Sequence, residues 1–219
     1  MTARAHARFA SVVLDVDSTI AGIEGIDWLA QRRGPEVAAD VASLTDRAMK
    51  GEIPLDAVYG ERLARIRPTR DEVGMLAAAY REAIAPGAVD VVARLRLAGV
   101  RVALVSGGLR EAIQPLALHL GCVDDALHAV RVRFDEHGEY AGYDEASPLA
   151  TQAGKAAVVR ALALPSPALA VGDGATDLAM RPAVDAFAAY VGFVRRAPVV
   201  ASADFEIDSF ARLEALVLP

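Results

Sequence analysis

Short, continuously apolar runs recur along the chain, each closed by polar residues and then by Gly, Ser or Thr. "SVVLDV" (11–16), "VRVALVS" (100–106) and "ALAVGD" (168–173) show little hydrophobic–polar alternation, the pattern of strands covered on both faces. Segments with apolar positions at helical spacing occupy 87–99, 109–121 and 153–164. Strand followed by helix, repeated, predicts an α/β fold with a doubly wound, Rossmann-like parallel sheet. Pro115 interrupts the second helical pattern and predicts a kink or an early break, because proline lacks the N–H and crowds the preceding turn.

Two stretches depart from this rhythm. Residues 21–84 contain no strong strand run and read as helices over 24–34, 36–51 and 71–84, separated by Gly and Pro. They predict a small helical unit inserted after the first strand, leaving 1–20 and 85–219 to form the core domain. Residues 128–145 alternate around "EHGE" and predict a β-hairpin. The tail, 204–217, reads as a last strand and a closing helix.

Composition narrows the classes. With 219 residues, 54% hydrophobic and 24% charged, the chain should fold around a sizeable core without disulfides. Its net charge of -6, from 23 basic and 29 acidic residues, argues against a nucleic-acid or membrane-surface partner, since both require a basic face. An anionic substrate would then need local cations or a metal. The single cysteine, Cys122, cannot form an intrachain disulfide and reads as a small core hydrophobe. His6, His119, His128 and His137 lack zinc-site spacing. No run is long and charge-free enough to span a bilayer, and the first residues lack the apolar run of a signal peptide. A cytoplasmic protein is the expectation.

The candidate chemistry lies where the apolar runs stop. Ligands of open α/β sheets bind beyond the carboxyl ends of the strands, and the runs end in "DVDST", "SGG" and "GDGATD". Each has an ordinary explanation alone: a solvated acid pair, a tight turn, a helix N-cap at Gly174 or Thr176. Lys155 alone would pass as a solvated helix residue, and "AGKA" is no P-loop, because Leu149 stands where that motif needs Gly. The three clusters together point to a shared site. Asp15 and Asp17, two residues apart, face the same side of an extended chain. As like charges, one of them should resist ionising. Asp173 and Asp177 lie one helical turn apart, and such hard oxygens without His or Cys suit Mg²⁺. Ser106, Gly107 and Gly108 offer a hydroxyl and backbone N–H groups at a helix start, an anion site by nature. Lys155 could add a positive charge.

In this order, "DVDST", "SGG", a later lysine and "GDGATD" resemble the signature motifs of the haloacid dehalogenase (HAD) superfamily of phosphotransferases. "DVDSTIAGIEGIDWLA", "LTDRAMKGEIPL", "ERLARI", "LVSGGLR", "GEYAGYDE" and "VGDGATDLAM" are similar to its phosphoserine phosphatase family. The resemblance implies a HAD-type core and, over 21–84, a cap that closes on the site. Asp15 would be the nucleophile forming an aspartyl phosphate, and Asp17 the general acid and then base. Mg²⁺ would be held by Asp15, the backbone carbonyl of Asp17 and Asp173, with Asp177 supporting. Ser106, Gly107 and Lys155 would hold the phosphate. Glu24 would meet the substrate ammonium, Arg62 its carboxylate, and Met49 would line the pocket. The implied substrate is a small phosphomonoester, L-phosphoserine, converted to L-serine in the last step of serine biosynthesis by a monomer or homodimer. Phosphoethanolamine, phosphocholine or a sugar phosphate is the alternative. A phospho-Asp signalling receiver is the remote one, being shorter and without the helical insert.

Overall fold

The structure, a computed structural model, describes residues 7–218; His6 lies outside the described residues. In chain order the strands are β1 (Ser11–Leu14), β2 (Arg101–Leu109), β3 (Leu127–Val130), β4 (Val132–Phe134), β5 (Tyr140–Tyr143), β6 (Ala168–Gly172), β7 (Ala186–Tyr190) and β8 (Phe205–Ile207). The helices are α1 (Gly25–Ala30), α2 (Pro35–Met49), α3 (Tyr59–Ile66), α4 (Arg70–Glu82), α5 (Ala88–Leu97), α6 (Arg110–His119), α7 (Gly154–Ala161), α8 (Ala175–Leu178), α9 (Ala197–Ala201) and α10 (Phe210–Val217).

Six parallel strands form one sheet in the order β3-β2-β1-β6-β7-β8. The chain winds outward from β1 first to one side and then to the other, so the order reverses at β1. This is the doubly wound arrangement the sequence predicts. β1, β6 and β7 are buried along their whole length, which is why β1 and β6 read as uninterrupted apolar runs. The core cluster runs from these strands into the helices on both faces and continues among α1–α4 through Leu29, Val41, Leu63 and Leu76.

Two adjacent extended segments join α1–α4 to the sheet. Ala21 bridges to both Asp17 and Ile84. The Gly22 N–H donates to the Ala83 carbonyl at 2.9 Å, and the Ala85 N–H to the Ile20 carbonyl at 2.8 Å. The turn out of β1 passes through Ser18 at φ 51, a left-handed conformation that a non-glycine residue keeps only when its surroundings demand it.

Several expectations change. β2 continues to Leu109, so Ser106–Gly108 lie in extended chain and the helix starts only at Arg110. The pairing with β3 shifts register between Val105 and Leu109, and this irregular pairing lets the strand run past the glycines. α6 is continuous through Pro115 to His119. Burial of Ala112, Ile113, Leu116 and Ala117 offsets the roughly 3 kcal/mol of an internal proline. The hairpin is confined to β4 and β5, because Leu127–Val130 instead extends the parallel sheet beside β2. β7 was not anticipated. The tail forms β8 and α10 as expected.

Candidate active site

The strand ends converge at the carboxyl edge of the sheet. Asp15 follows β1, and its backbone N–H still donates to the Val171 carbonyl of β6 at 3.0 Å. Asp173 follows β6, and Ser106 and Gly107 lie within β2. Lys155 stands at the start of α7, where Gly154 lets the helix begin against the Pro148 carbonyl; a Cβ there would collide with that backbone.

Lys155 is the electrostatic centre. Its Nζ donates to Asp15 Oδ1 at 2.6 Å and to Asp177 Oδ1 at 2.6 Å, with all three side chains buried. Burial alone would discharge the ammonium, but Asp15 and Asp177 reverse this and hold it above its usual range. Asp177 Oδ2 accepts the Gly174 N–H at 2.9 Å, so this carboxylate also caps α8. Burial, and then the charges of Asp177 and Asp17, push Asp15 well above the ordinary carboxylate range, against the pull of Lys155.

Asp17 is held differently. Its Oδ1 accepts from the Gly25 N–H at 2.7 Å and from Tyr80 Oη at 2.7 Å, while Ser106 Oγ lies 3.3 Å from Oδ2. Burial raises its pKa, and the bonds from Tyr80 and Gly25 oppose that rise. Gly25 is required here because a Cβ would strike the Tyr80 hydroxyl. Gly108 is required because a Cβ would come within 2.8 Å of Ile113 Cδ1 and 2.9 Å of Asp17 Oδ2.

A buried arginine that the sequence did not single out, Arg196, pairs through Nη1 with Asp173 Oδ2 and lies 3.8 Å from Glu24 Oε1 through Nη2. Glu24 also accepts from Ser18 Oγ at 2.7 Å. Burial and then the neighbouring Asp17 push Glu24 up to about 7. Arg62 is 4% exposed, and its Nη1 donates to Thr45 Oγ1 at 2.7 Å.

These groups surround a pocket of about 40 Å³. Of the residues singled out from sequence, Asp15, Asp17, Glu24, Met49, Arg62, Gly107, Lys155 and Asp173 line it, together with Leu55, Tyr59 and Thr176. Ser106 and Asp177 sit behind the lining, bonded to Asp17 and to Lys155 respectively. Tyr80 and Arg196 are the residues that sequence reasoning missed. Tyr80 gave no signal, being one apolar position of a helix. Arg196 had one: it follows β7, and recognising that strand would have pointed to its carboxyl-end loop.

The buried donors suit a hard divalent cation. Oxygens of Asp15, Asp173 and Asp177 lie within 4.8 Å of one another, and all three residues are buried. With Asp17 added, these carboxylates outnumber the cations beside them, Lys155 and Arg196, so positive charge is needed at this point.

A parallel sheet carrying buried acids and a lysine at its carboxyl edge is a site for phosphate chemistry. The haloacid dehalogenase-like hydrolase profile matches residues 9–185, and the chain belongs to that family. It is 39% identical to phosphoserine phosphatase of Mus musculus over 206 residues, covering 93% of this chain and 91% of the relative. It is 36% identical to the chloroplastic phosphoserine phosphatase of Arabidopsis thaliana, covering 93% of this chain and 70% of that one. A phosphoserine phosphohydrolase-like protein of Francisella tularensis shares the fold at a TM-score of 0.86 and 23% identity, covering 94% of this chain and 98% of that one. A substrate-bound phosphoserine phosphatase complex superposes at 0.78 and 23% identity, with the same coverage of 94% and 98%. The chain is a hydrolase. Among the described residues no helix is long and apolar enough to cross a membrane.

Proposed function

We propose that this enzyme hydrolyses L-phosphoserine to L-serine and phosphate. One observation carries the reading: a single pocket brings together Asp15, Asp17 and Lys155 on the sheet side with one acid, Glu24, and one buried cation, Arg62, on the helical side. The first group suits a phosphoryl group. The second matches the ammonium and carboxylate of an amino acid.

In this reading an Asp15 oxygen attacks phosphorus and the bond from phosphorus to the seryl oxygen breaks. Asp17 gives its proton to the departing oxygen, then takes one from the water that hydrolyses the aspartyl phosphate. Lys155, Ser106 and the backbone at Gly107 bind phosphoryl oxygens and position them in line. Mg²⁺, held by Asp15, the Asp17 carbonyl and Asp173 with Asp177 in support, would neutralise phosphoryl charge and keep Asp15 ionised. Tyr80 and Gly25 hold one oxygen of Asp17, leaving Oδ2 for proton traffic. Met49 closes the wall next to Gly174, where a Cβ would come within 2.8 Å of its Sδ.

Residues 21–84 act as a cap on a core made of 1–20 and 85–219. The paired segments at Ile20–Gly22 and Ala83–Ala85 connect it to the core. The names of the curated relatives support the substrate, and the enzyme's place is cytoplasmic serine synthesis.

The deciding measurement is phosphate release from L-phosphoserine, phosphoethanolamine, phosphocholine and a sugar phosphate, after chelation and after restoring Mg²⁺. L-phosphoserine should give the highest kcat/KM, with turnover lost on chelation and regained with Mg²⁺. Preference for a substrate without a carboxylate would overturn the reading. Steady turnover also excludes a signalling receiver.

A further inference from the structure

Arg62 reaches the pocket from α3, but what holds it lies outside the pocket. Its Nη1 donates to Thr45 Oγ1 at 2.7 Å. Thr45, on α2 and 3% exposed, in turn donates to Asp27 Oδ1 of α1 at 2.5 Å. A hydroxyl has one hydrogen and two acceptor sites, so accepting from Arg62 fits donation to Asp27. The Val41 carbonyl, 3.1 Å away, is the longer alternative. The chain of bonds therefore ties three helices together through one hydroxyl and ends on a carboxylate. Neither Thr45 nor Asp27 lines the pocket.

The other end of Arg62 is unsatisfied. Its Nε is buried with no hydrogen-bond partner, although buried polar groups are nearly always paired. The Tyr59 ring lies 5.6 Å from the guanidinium carbon. One edge of the guanidinium is thus fixed by Thr45, while a remaining donor lacks an acceptor in a residue that lines the pocket.

We propose that Thr45 and Asp27 are positioning residues that aim Arg62 at the carboxylate of the substrate, so that discrimination for an amino-acid phosphate depends on two side chains that never touch it. The Thr45 hydroxyl sets the rotation of the guanidinium plane. Asp27 fixes the direction of that hydroxyl and supplies compensating charge behind it. Selectivity arises because a charged donor left without its acceptor disfavours phosphomonoesters that carry no carboxylate. This inference rests on the proposed phosphoserine reading.

The test compares L-phosphoserine with phosphoethanolamine, which keeps the ammonium and lacks the carboxylate. Thr45→Val preserves shape and removes the hydroxyl. It should raise KM for L-phosphoserine about tenfold, the effect of one hydrogen bond to a charged group, with kcat changed less than about twofold. kcat/KM for phosphoethanolamine should stay at the wild-type value. Thr45→Ser should restore KM, and Asp27→Asn, which keeps an acceptor oxygen without the charge, should raise it by a smaller factor of about three. Should Thr45→Val not fold, Thr45→Ser and Asp27→Asn carry the comparison. Equal losses on both substrates, or no change in KM, would overturn the relay. Wild-type enzyme that does not prefer L-phosphoserine would overturn the reading beneath it, a separate outcome.

Discussion

Tyr80 Oη donates to Asp17 Oδ1 across 2.7 Å, although the two residues are 63 positions apart. Tyr80 lies on α4 and Asp17 just past β1, so the bond joins the helical insert to the acid pair of the sheet. Burial, reinforced by the Asp17 charge, holds the Tyr80 phenol well above its usual range, so it remains a donor at any working pH. Tyr80→Phe should leave the fold intact and lower kcat about tenfold, the scale of one orienting hydrogen bond, with little change in KM. Steady-state kinetics on L-phosphoserine reads this directly. An unchanged kcat would mean that Asp17 acts without the tyrosine.

Glu24 gives two opposite pH effects. Burial and Asp17 raise its folded-state value to about 7 from an ordinary 4.5. The folded chain therefore binds this proton more tightly than the unfolded chain. Its stabilising contribution is full below about pH 4.5 and is lost as pH rises through about 7. Glu24→Gln should accordingly melt higher than wild type at pH 8 and alike at pH 4.5. Binding runs the other way, since only the ionised carboxylate attracts an ammonium. KM for L-phosphoserine should fall as pH rises through about 7 in the wild type, relative to an aryl phosphate as control. The variant should lack that difference. Parallel pH profiles for both substrates in the wild type would count against the role of Glu24.

Glu72 predicts acid sensitivity far from the chemistry. It accepts from Arg33 Nη1 and Nη2, each at 2.6 Å, and closes a capping box with Thr69 at the start of α4. The Arg33 bonds lead the causes that lower it to about 2 from 4.5. This stabilisation is present above pH 4.5 and is lost as pH falls toward about 2. Because the pair is partly solvated, wild type should lose about 1–2 kcal/mol more between pH 6 and pH 3 than Glu72→Gln. Urea unfolding at pH 6 and pH 3 measures the difference. Equal losses would show that Arg33 contributes nothing through this carboxylate.

The acids of the candidate site were legible in sequence because they stand where a buried apolar strand stops, and charge at such a place needs a partner. Lys155 was legible only in company with the acid clusters, as a lone lysine at a helix start carries no signal. Pro115 misled because local propensity ignores the packing of α6. Ser106–Gly108 misled because the boundary between strand and helix depends on pairing with β3. Arg196 and Tyr80 stayed hidden: a basic residue in a loop and a tyrosine in an amphipathic helix look like many others.

The sequence by itself determined the class of fold, a doubly wound parallel sheet, and which strand ends carry acids, since helical and strand periodicity and the polar residues that close an apolar run are local properties. Only the tertiary structure decided which groups meet. Lys155 reaches Asp15 from 140 positions away, and Arg196 reaches Asp173 and Glu24 from a loop beyond β7. Thr45 takes its place between Asp27 and Arg62 only when three helices pack together. Such pairings are set by sheet order and helix packing, which place residues by contact in space; spacing along the chain carries no trace of them.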